Sequence, residues 1–179
     1  MTPLTLRKIQ VEDAAGFTAL HKTLAEETHF LLLEPDELRE DLDAQKQWLK
    51  GCVESDSRDI FVAHADGVIV GFLDIRGGNF NRDRHKASLS LGITRAHWGR
   101  GLGTLLIEAA ISWLRDRNGT RLELTVNCNN ERAVGLYQKC GFQIEGTQRN
   151  ALRVDGKFVD EYFMGFLLSE SYSPEHSTT

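Results

Sequence analysis

Trp98-Gly99-Arg100-Gly101-Leu102-Gly103-Thr104 is a glycine-rich segment between a strand-like run and a long amphipathic helix. Residues 87–94 before it (A-S-L-S-L-G-I-T) alternate apolar and small polar side chains, which is typical of a half-buried strand. Between residues 105 and 114 the apolar side chains recur at helical spacing. Glycines let the backbone approach a ligand closely, and the first N–H groups of a helix are free to bind an anion. The segment therefore predicts a phosphate or pyrophosphate site, unless its glycines serve only a tight turn.

Two common phosphate-binding motifs do not fit this segment. A Walker loop requires Gly-Lys-Ser/Thr after the first glycines, and that sequence is missing here. The dinucleotide fingerprint G-x-G-x-x-G requires a final glycine where this chain has Thr104. A different class of phosphate-containing ligand is therefore expected.

The composition is that of an ordinary globular protein. The chain has 179 residues, 41% of them hydrophobic and 26% charged, which fits one domain with a real core. The net charge is −5 and the pI is near 5.7, which argues against nucleic-acid binding through overall charge. An acidic chain suits a cationic or amine substrate, although only weakly.

The cysteines and the chain start indicate a compartment. The three cysteines, Cys52, Cys128 and Cys140, have no C-x-x-C spacing, which predicts neither a disulfide framework nor a metal site. Residues 1–10 lack the apolar core of a signal peptide, and no apolar run approaches the length of a membrane span. We therefore expect a cytoplasmic protein without membrane attachment.

The patterning predicts the element order β α α β β β α β α β β in one α+β domain over residues 1–168. Asp36 is predicted to cap the second helix, with Leu38, Leu42, Trp48 and Leu49 facing inward. Asp155-Gly156 predicts a hairpin between the last two strands. Residues 169–179 are polar and are expected to form a disordered tail.

Two motifs together carry a family resemblance. The glycine segment, the strand at residues 122–126, and Asn130-x-x-Ala133-x-x-Leu136-Tyr137-x-x-Cys140-Gly141-Phe142 resemble the GNAT acyl-CoA N-acyltransferases. Residues 145–150 and 155–164 are similar to the branch that holds ribosomal-protein N-terminal, polyamine and amino-acid acetyltransferases, with the amino-acid type nearest. The resemblance implies a mixed, mostly antiparallel sheet of six or seven strands, splayed at its centre, with about four flanking helices.

The resemblance also implies an acetyl-CoA site and no metal. Acetyl-CoA would lie between the strands that end near Thr94 and Val126, with its pyrophosphate on the helix N-terminus. The implied contacts are with Gly99, Arg100, Gly101, Leu102, Gly103 and Thr104 for the pyrophosphate, and with Gly92, Ile93, Thr94 and Asn130 for the pantetheine arm. We expect Gly92 to mark a bulge, the Ile93 amide to hold the developing oxyanion, and Asn130 to bind pantetheine or only to cap its helix.

Tyr137 is the catalytic residue that the resemblance implies. A tyrosine at this position donates a proton to the departing CoA thiolate in the family, whereas the alternative is a core tyrosine with a satisfied hydroxyl. The general base stays open among water and several side chains: Glu123, Glu34, His29, Asp74 and His85. Direct attack by the amine is preferred over acyl transfer through Cys128 or Cys140.

The acceptor pocket is expected between the first two helices, residues 28–35 and the last hairpin. Its expected lining is His29, Phe30, Glu34 and Tyr162, with Glu34 available to an ammonium and Arg149, Arg153 or Arg82 available to a carboxylate. The most favoured acceptor is a small primary amine such as an amino acid. The alternatives are a protein N-terminus and a non-catalytic acyl-CoA sensor. The resemblance favours a homodimer, and Phe158, Tyr162 and Phe166 either form its seam or face the first helices.

Overall fold

Seven strands and four α-helices follow one another in the predicted order in a computed structural model that describes residues 4–38 and 41–168. The predicted tail, residues 169–179, lies outside the described residues, and the domain bounds stay a prediction. Short 3-10 turns occupy Val11–Asp13, Pro35–Glu37 and Arg95–His97. The elements are β1 (Thr5–Lys8), α1 (Ala14–Glu27), α2 (Leu42–Val53), β2 (Arg58–Ala65), β3 (Val68–Gly77), β4 (Lys86–Ile93), α3 (Leu102–Asp116), β5 (Arg121–Asn127), α4 (Glu131–Lys139), β6 (Gln143–Val154) and β7 (Lys157–Leu167).

The strands form one sheet in the order β1-β2-β3-β4-β5-β7-β6. Every neighbouring pair is antiparallel except β4 and β5, which are parallel. β4 and β5 pair over only three positions, from Lys86–Arg121 to Ser88–Glu123, although both strands continue well beyond them. The predicted α+β class and mostly antiparallel sheet are confirmed, and the strands diverge at the centre as expected.

Helices cover both faces of the sheet. On one face α1 and α2 pack on β2 and β3 through an apolar cluster that includes Phe17, Leu24, Leu49, Ile60 and Phe72. On the other face α3 packs on β3, β4 and β5 through a larger cluster. None of the helices within the described ranges is long and apolar enough to cross a lipid bilayer.

The start of the second helix differs from the prediction. Asp41 caps α2, because its carboxylate accepts hydrogen bonds from the Asp43 and Ala44 amides at 2.9 and 3.1 Å. Asp36 lies instead in a 3-10 turn that Pro35 begins and a Glu34–Glu37 capping box closes. That turn ends in an extended residue, Leu38, so helix cannot propagate from Asp36 into α2.

The inward positions of α2 are only partly as predicted. Leu49 is fully buried and Trp48 packs against the same apolar cluster, whereas Leu42 is 40% exposed. Because α2 begins at Leu42, this side chain lies in the first helical turn, at the edge of the core. The apolar face is therefore shorter than the periodicity indicates.

Gly92 does not lie at a bulge. The register of β3 with β4 runs without a shift from Gly77–Ala87 to Gly71–Ile93. Close packing requires a glycine here instead, because a Cβ on Gly92 would lie 2.7 Å from Cε1 of Phe72 and 2.8 Å from Cδ1 of Leu24. The residue thus lets α1 approach β4 directly above the divergence of the strands.

Gly92→Ala should lower the free energy of unfolding by about 1–3 kcal/mol, because the added methyl overpacks against a buried ring. Gly51→Ala is the matched control, since Gly51 lies inside α2 and a Cβ there meets nothing within 4 Å. The control should gain up to about 1 kcal/mol from helix propensity. Urea denaturation measures both changes, and a neutral Gly92→Ala would contradict the packing argument.

Candidate active site

The diverging strands leave a cleft lined by main-chain polar groups. The Thr94 N–H donates to the Val70 carbonyl on β3 at 3.0 Å, so even-numbered residues of β4 bond toward β3. Backbone groups alternate in direction along a strand, which turns those of Leu91 and Ile93 toward β5. At the end of β5 the Cys128 N–H donates to the Asp160 carbonyl at 3.0 Å, so even-numbered residues of β5 bond toward β7. The Thr125 backbone therefore faces β4. The cleft can therefore pair with an extended polar ligand.

The Ile93 amide is fixed at the end of this cleft. Its carbonyl accepts a hydrogen bond of 2.7 Å from the Trp98 indole, while its N–H faces the gap. The guanidinium carbons of Arg132 and Arg95 lie 4.8 and 5.6 Å from the centre of the Trp98 ring. Trp98 thus holds the C-terminal end of β4 against α4. The sequence did not predict this role, although Trp98 is the first residue of the glycine segment.

The N-terminus of α3 presents free amides to the same end of the cleft. Gly101 is the N-cap, with φ of 81°, and Gly99 has φ of 71°, a region that favours glycine. The first bond of the helix runs from the Leu105 N–H to the Gly101 carbonyl at 3.1 Å. The amides of residues 101–104 therefore have no helical acceptor, and a glycine cap supplies no side-chain oxygen. This geometry fits a diphosphate.

The other residues of the segment have packing roles as well. A Cβ on Gly103 would lie 2.6 Å from Cδ2 of Leu136, so this glycine lets α3 approach α4. The Leu102 side chain is buried in the core, so this residue can contribute only its backbone amide to an anion site. Thr104 lies close to the Cys140 thiol, whereas Arg100 is exposed to solvent. The glycines are thus explained by turn and packing geometry, and the amides of residues 101–104 remain free to bind an anion.

Asn130 and Tyr137 lie on α4. The Asn130 Oδ1 accepts from the Ala133 amide at 3.2 Å, so it caps the helix and its side-chain NH₂ stays available to a ligand. Tyr137 is 5% exposed, and its hydroxyl has no hydrogen-bond partner among residues 4–38 and 41–168. Burial, together with the nearby Cys140, raises the pKa of Tyr137 above its ordinary value. Its phenol is therefore a proton donor at neutral pH.

A cavity of about 570 Å³ opens on the opposite face of the sheet, between α1, α2, residues 31–38, β3 and β4. It reaches the cleft at Leu91, and the chain from residue 31 to 38 forms part of its wall. Its volume is that of a small-molecule site. Its wall includes Phe17, His21, Glu37, Trp48, Arg58, Phe72, Asp74, Arg76 and Ser90.

The four expected acceptor-lining residues do not come together. His29 and Glu34 line a separate cavity of about 410 Å³ against residues 151–154 of the last hairpin. Phe30 is 42% exposed and lines neither cavity. Tyr162 pairs in register with Val126 and packs on the α3 side of the sheet, because alternation along β7 turns it to that face. His29 and Glu34 thus share one cavity, Phe30 and Tyr162 do not line it, and the acceptor-binding role of these four residues stays a prediction.

His21 is the titratable group that the sequence analysis overlooked. Its Nδ1 lies 3.0 Å from the Phe17 carbonyl, which can only accept, so Nδ1 carries the proton and Nε2 is a free acceptor. The ring packs between Phe17 and Phe72, with ring centroids 4.4 and 4.8 Å away. Burial lowers the pKa of His21 below its ordinary value, so the imidazole is neutral at pH 7. A histidine four residues after Phe17 on an apolar helix face was the available signal.

Two carboxylates considered as bases are already engaged. Asp74 is buried and accepts four hydrogen bonds from two arginines, Arg58 and Arg76. Burial alone would raise the pKa of Glu123, but hydrogen bonds from Arg121 and Lys86, each 3.0 Å long, outweigh it and hold the pKa below its ordinary value. Both are therefore weaker candidates than His21.

Comparison with known proteins identifies the family. The model of the acetyltransferase (GNAT) family matches residues 18–142, which is well over half of the chain. The chain belongs to the GNAT acetyltransferase family. The family resemblance noted from the glycine segment and the Asn130–Phe142 motif is confirmed.

Two curated relatives of this GNAT chain act on small amines by name. L-amino acid N-acetyltransferase AaaT of Escherichia coli is 36% identical over 107 residues, 58% of this chain and 64% of that protein. Spermidine N(1)-acetyltransferase of the same species is 27% identical over 119 residues, 66% of this chain and 62% of that protein. The matched regions thus span less than two-thirds of either relative.

Solved structures match over most of the chain. A GNAT-family acetyltransferase from Streptococcus pneumoniae has a TM-score of 0.86 and 35% identity, covering 93% of this chain and all of that one. YncA, a putative acetyltransferase from Salmonella typhimurium solved with acetyl-CoA, has a TM-score of 0.82 at 21% identity, covering 97% and 99% of the two chains, which shows the shared fold.

Gly101→Ala should weaken CoA binding about tenfold, because a Cβ would stand beside the free amides and the left-handed cap would relax. Gly67→Ala is the matched control, since Gly67 has φ of 77° in the β2–β3 turn and equally open surroundings. Both variants should lose about 1–2 kcal/mol of stability. Calorimetry with CoA should separate them, and equal affinities would count against the amide site.

Proposed function

We propose that the chain transfers the acetyl group of acetyl-CoA to the primary amine of a small molecule, an amino acid being the favoured acceptor. The observation that carries this is the cleft of unpaired main-chain groups along β4, which leads to the free amides of residues 101–104. The relative named as an amino-acid acetyltransferase supports the finer choice of acceptor.

Different residues of this chain bind acetyl-CoA, stabilise the developing charge and donate the proton. Acetyl-CoA supplies an activated thioester. The amides of residues 101–104 bind its diphosphate, and Asn130 supplies a further donor for the pantetheine arm. The N–H of Ile93 donates to the thioester carbonyl oxygen and stabilises the negative charge that develops on attack. Tyr137, kept protonated by burial, donates its phenolic proton to the leaving sulfur.

His21 accepts the proton that the acceptor ammonium must lose before attack. His21 lines the acceptor cavity, and its ring contacts Phe72, the side chain directly against Gly92. This places the base next to the part of β4 that leads to Ile93. A free α-amino group has a pKa near 8, so a neutral imidazole is an adequate acceptor when the two are held together.

Direct attack is favoured over a covalent acyl-enzyme. Burial raises the pKa of the thiols of Cys128 and Cys140, so little thiolate is present at neutral pH. Direct transfer also needs only one acceptor site, and the 570 Å³ cavity supports this interpretation by its size.

A cavity of small-molecule volume favours a small acceptor over a protein N-terminus, and the protonated Tyr137 favours catalysis over acyl-CoA sensing. The deciding experiment offers free amino acids, polyamines and N-terminal peptides with acetyl-CoA and follows release of the CoA thiol. Release with amino acids supports the proposal, release only with peptides favours the protein N-terminal function, and binding without release favours a sensor.

Two further expectations stay proposals. All three cysteines are free thiols, which suits a reducing cytoplasm. A homodimer through the edge strand β6 is supported by its exposed first eight residues. The expected seam needs correction, since Tyr162 and Phe166 pack on the core and Phe158 alone is largely exposed.

Tyr137→Phe should lower kcat at least tenfold while the KM for acetyl-CoA stays close to its original value. The ring keeps its packing on Phe142, at a centroid distance of 5.7 Å, so only the proton donor is removed. Steady-state kinetics on the two proteins give the comparison. An unchanged kcat would remove Tyr137 from the mechanism.

His21→Gln should lower kcat about a hundredfold, because an amide cannot take up the proton. In the unchanged protein kcat at saturating amine should fall only as the pH drops through the lowered pKa of His21, below about 6.5, since the neutral form is active. This fall of kcat at low pH, the acidic limb of the pH profile, should be absent from the His21→Gln variant. Lys22→Gln on the exposed side of α1 is the control, and a limb that survives His21→Gln would assign the titration to another group.

A further inference from the structure

The acceptor cavity contains two guanidinium groups that share one carboxylate. Arg58 donates through Nε and Nη2 to Asp74 at 2.9 and 2.6 Å, and Arg76 donates through the same two atoms at 3.2 and 2.6 Å. The side chain of Asp74 is 6% exposed, that of Arg58 20% and that of Arg76 58%. The cluster therefore carries one positive charge that no group within it balances.

Each arginine keeps one amino group for a further acceptor. Nη1 of Arg58 and Nη1 of Arg76 have no hydrogen-bond partner within the described part of the chain, and both Asp74 oxygens are already occupied. Arg58 also stacks over Trp48, with its guanidinium carbon 4.8 Å from the ring centre. These donors are thus held in place before any ligand arrives.

The other groups that face the cluster do not neutralise it. Glu37 lines the same cavity, but its Oε2 accepts from the Glu34 amide at 3.0 Å. Among the ion pairs of the described residues, Glu37 pairs with neither arginine within 4.0 Å. The remaining wall is mostly apolar, and an unbalanced charge beside apolar surface favours a bound anion.

The register of the sheet relates this cluster to the reacting end of the cavity. Arg58 pairs with Arg76, Asp74 with Ser90, and Phe72 with Gly92, so these side chains share one face in successive rows. The row of Asp74 lies two residues, or about 7 Å, from the row of Phe72 and Gly92, beside which His21 packs. A small molecule can therefore reach both positions at once.

Resting on the proposed acetyl transfer, we propose that Arg58 and Arg76 form a subsite for a carboxylate of the acceptor, which selects amino acids over polyamines. The carboxylate binds the free Nη1 groups while the amine lies beside His21 and faces the cleft. A polyamine brings only positive charge to a cluster that is already cationic, and its binding is opposed. The subsite thus determines acceptor class through charge.

The test compares the common amino acids with their carboxamides and with spermidine, using acetyl-CoA and CoA-thiol release. The amino acids should exceed their carboxamides at least tenfold in kcat/KM, and spermidine should be the poorest acceptor. Arg76→Gln should raise the KM for an amino acid at least tenfold, change kcat little, and leave the KM for the carboxamide unchanged. Arg117→Gln is the control, because Arg117 pairs with Asp59 and covers Trp113, outside this cavity.

The possible outcomes separate the subsite from the reaction itself. Equal turnover of amino acids and carboxamides, or preference for spermidine, overturns the subsite and leaves acetyl transfer standing. Absence of turnover with every amine overturns the proposed function, and the subsite is then judged by binding alone. In that measurement glycine, but not glycinamide, should shift the side-chain N–H resonances of Arg58 and Arg76 more than that of Arg117. The absence of a selective shift overturns the subsite.

Discussion

The parting of β4 from β5 is the constraint on which the rest of the structure depends. Each strand is fully paired on its outer side, β4 with β3 up to Ile93 and β5 with β7 up to Asn127. Neither can move toward the other without losing those ladders. The inner main-chain groups must then be satisfied by water or by an extended ligand, since leaving them dry costs as much as a lost hydrogen bond. The fold thus maintains a strand-shaped gap.

The parts predicted from sequence are those that short-range chemistry determines. The glycine segment, the Asn130 cap and the Asp155-Gly156 hairpin depend on a few neighbouring residues, and all of them are present in the structure. The start of α2 was mispredicted because two capping acids compete within six residues. Asp36 satisfies the local rule, yet the Glu34–Glu37 box commits that segment to a 3-10 turn and Asp41 takes the cap.

The proposed acceptor site could not be predicted from the sequence, because its residues come from distant segments. His21, Arg58 and Asp74 come from α1, β2 and β3, and only the sheet register brings them together. Bulk charge does not reveal this cluster, since a chain of net charge −5 contains a cavity whose ion cluster is positive. A local field is determined by which side chains face each other, and composition carries no information about that.

The bond from Trp98 to the Ile93 carbonyl has a practical consequence. The chain has three tryptophans, and each has an arginine over its ring in a different part of the molecule. Trp98 borders the cleft, Trp48 borders the acceptor cavity, and Trp113 bonds Asp59 away from both. Indole emission is sensitive to such surroundings, so the protein carries its own optical reporters, one beside the cleft, one beside the cavity and one as an internal reference.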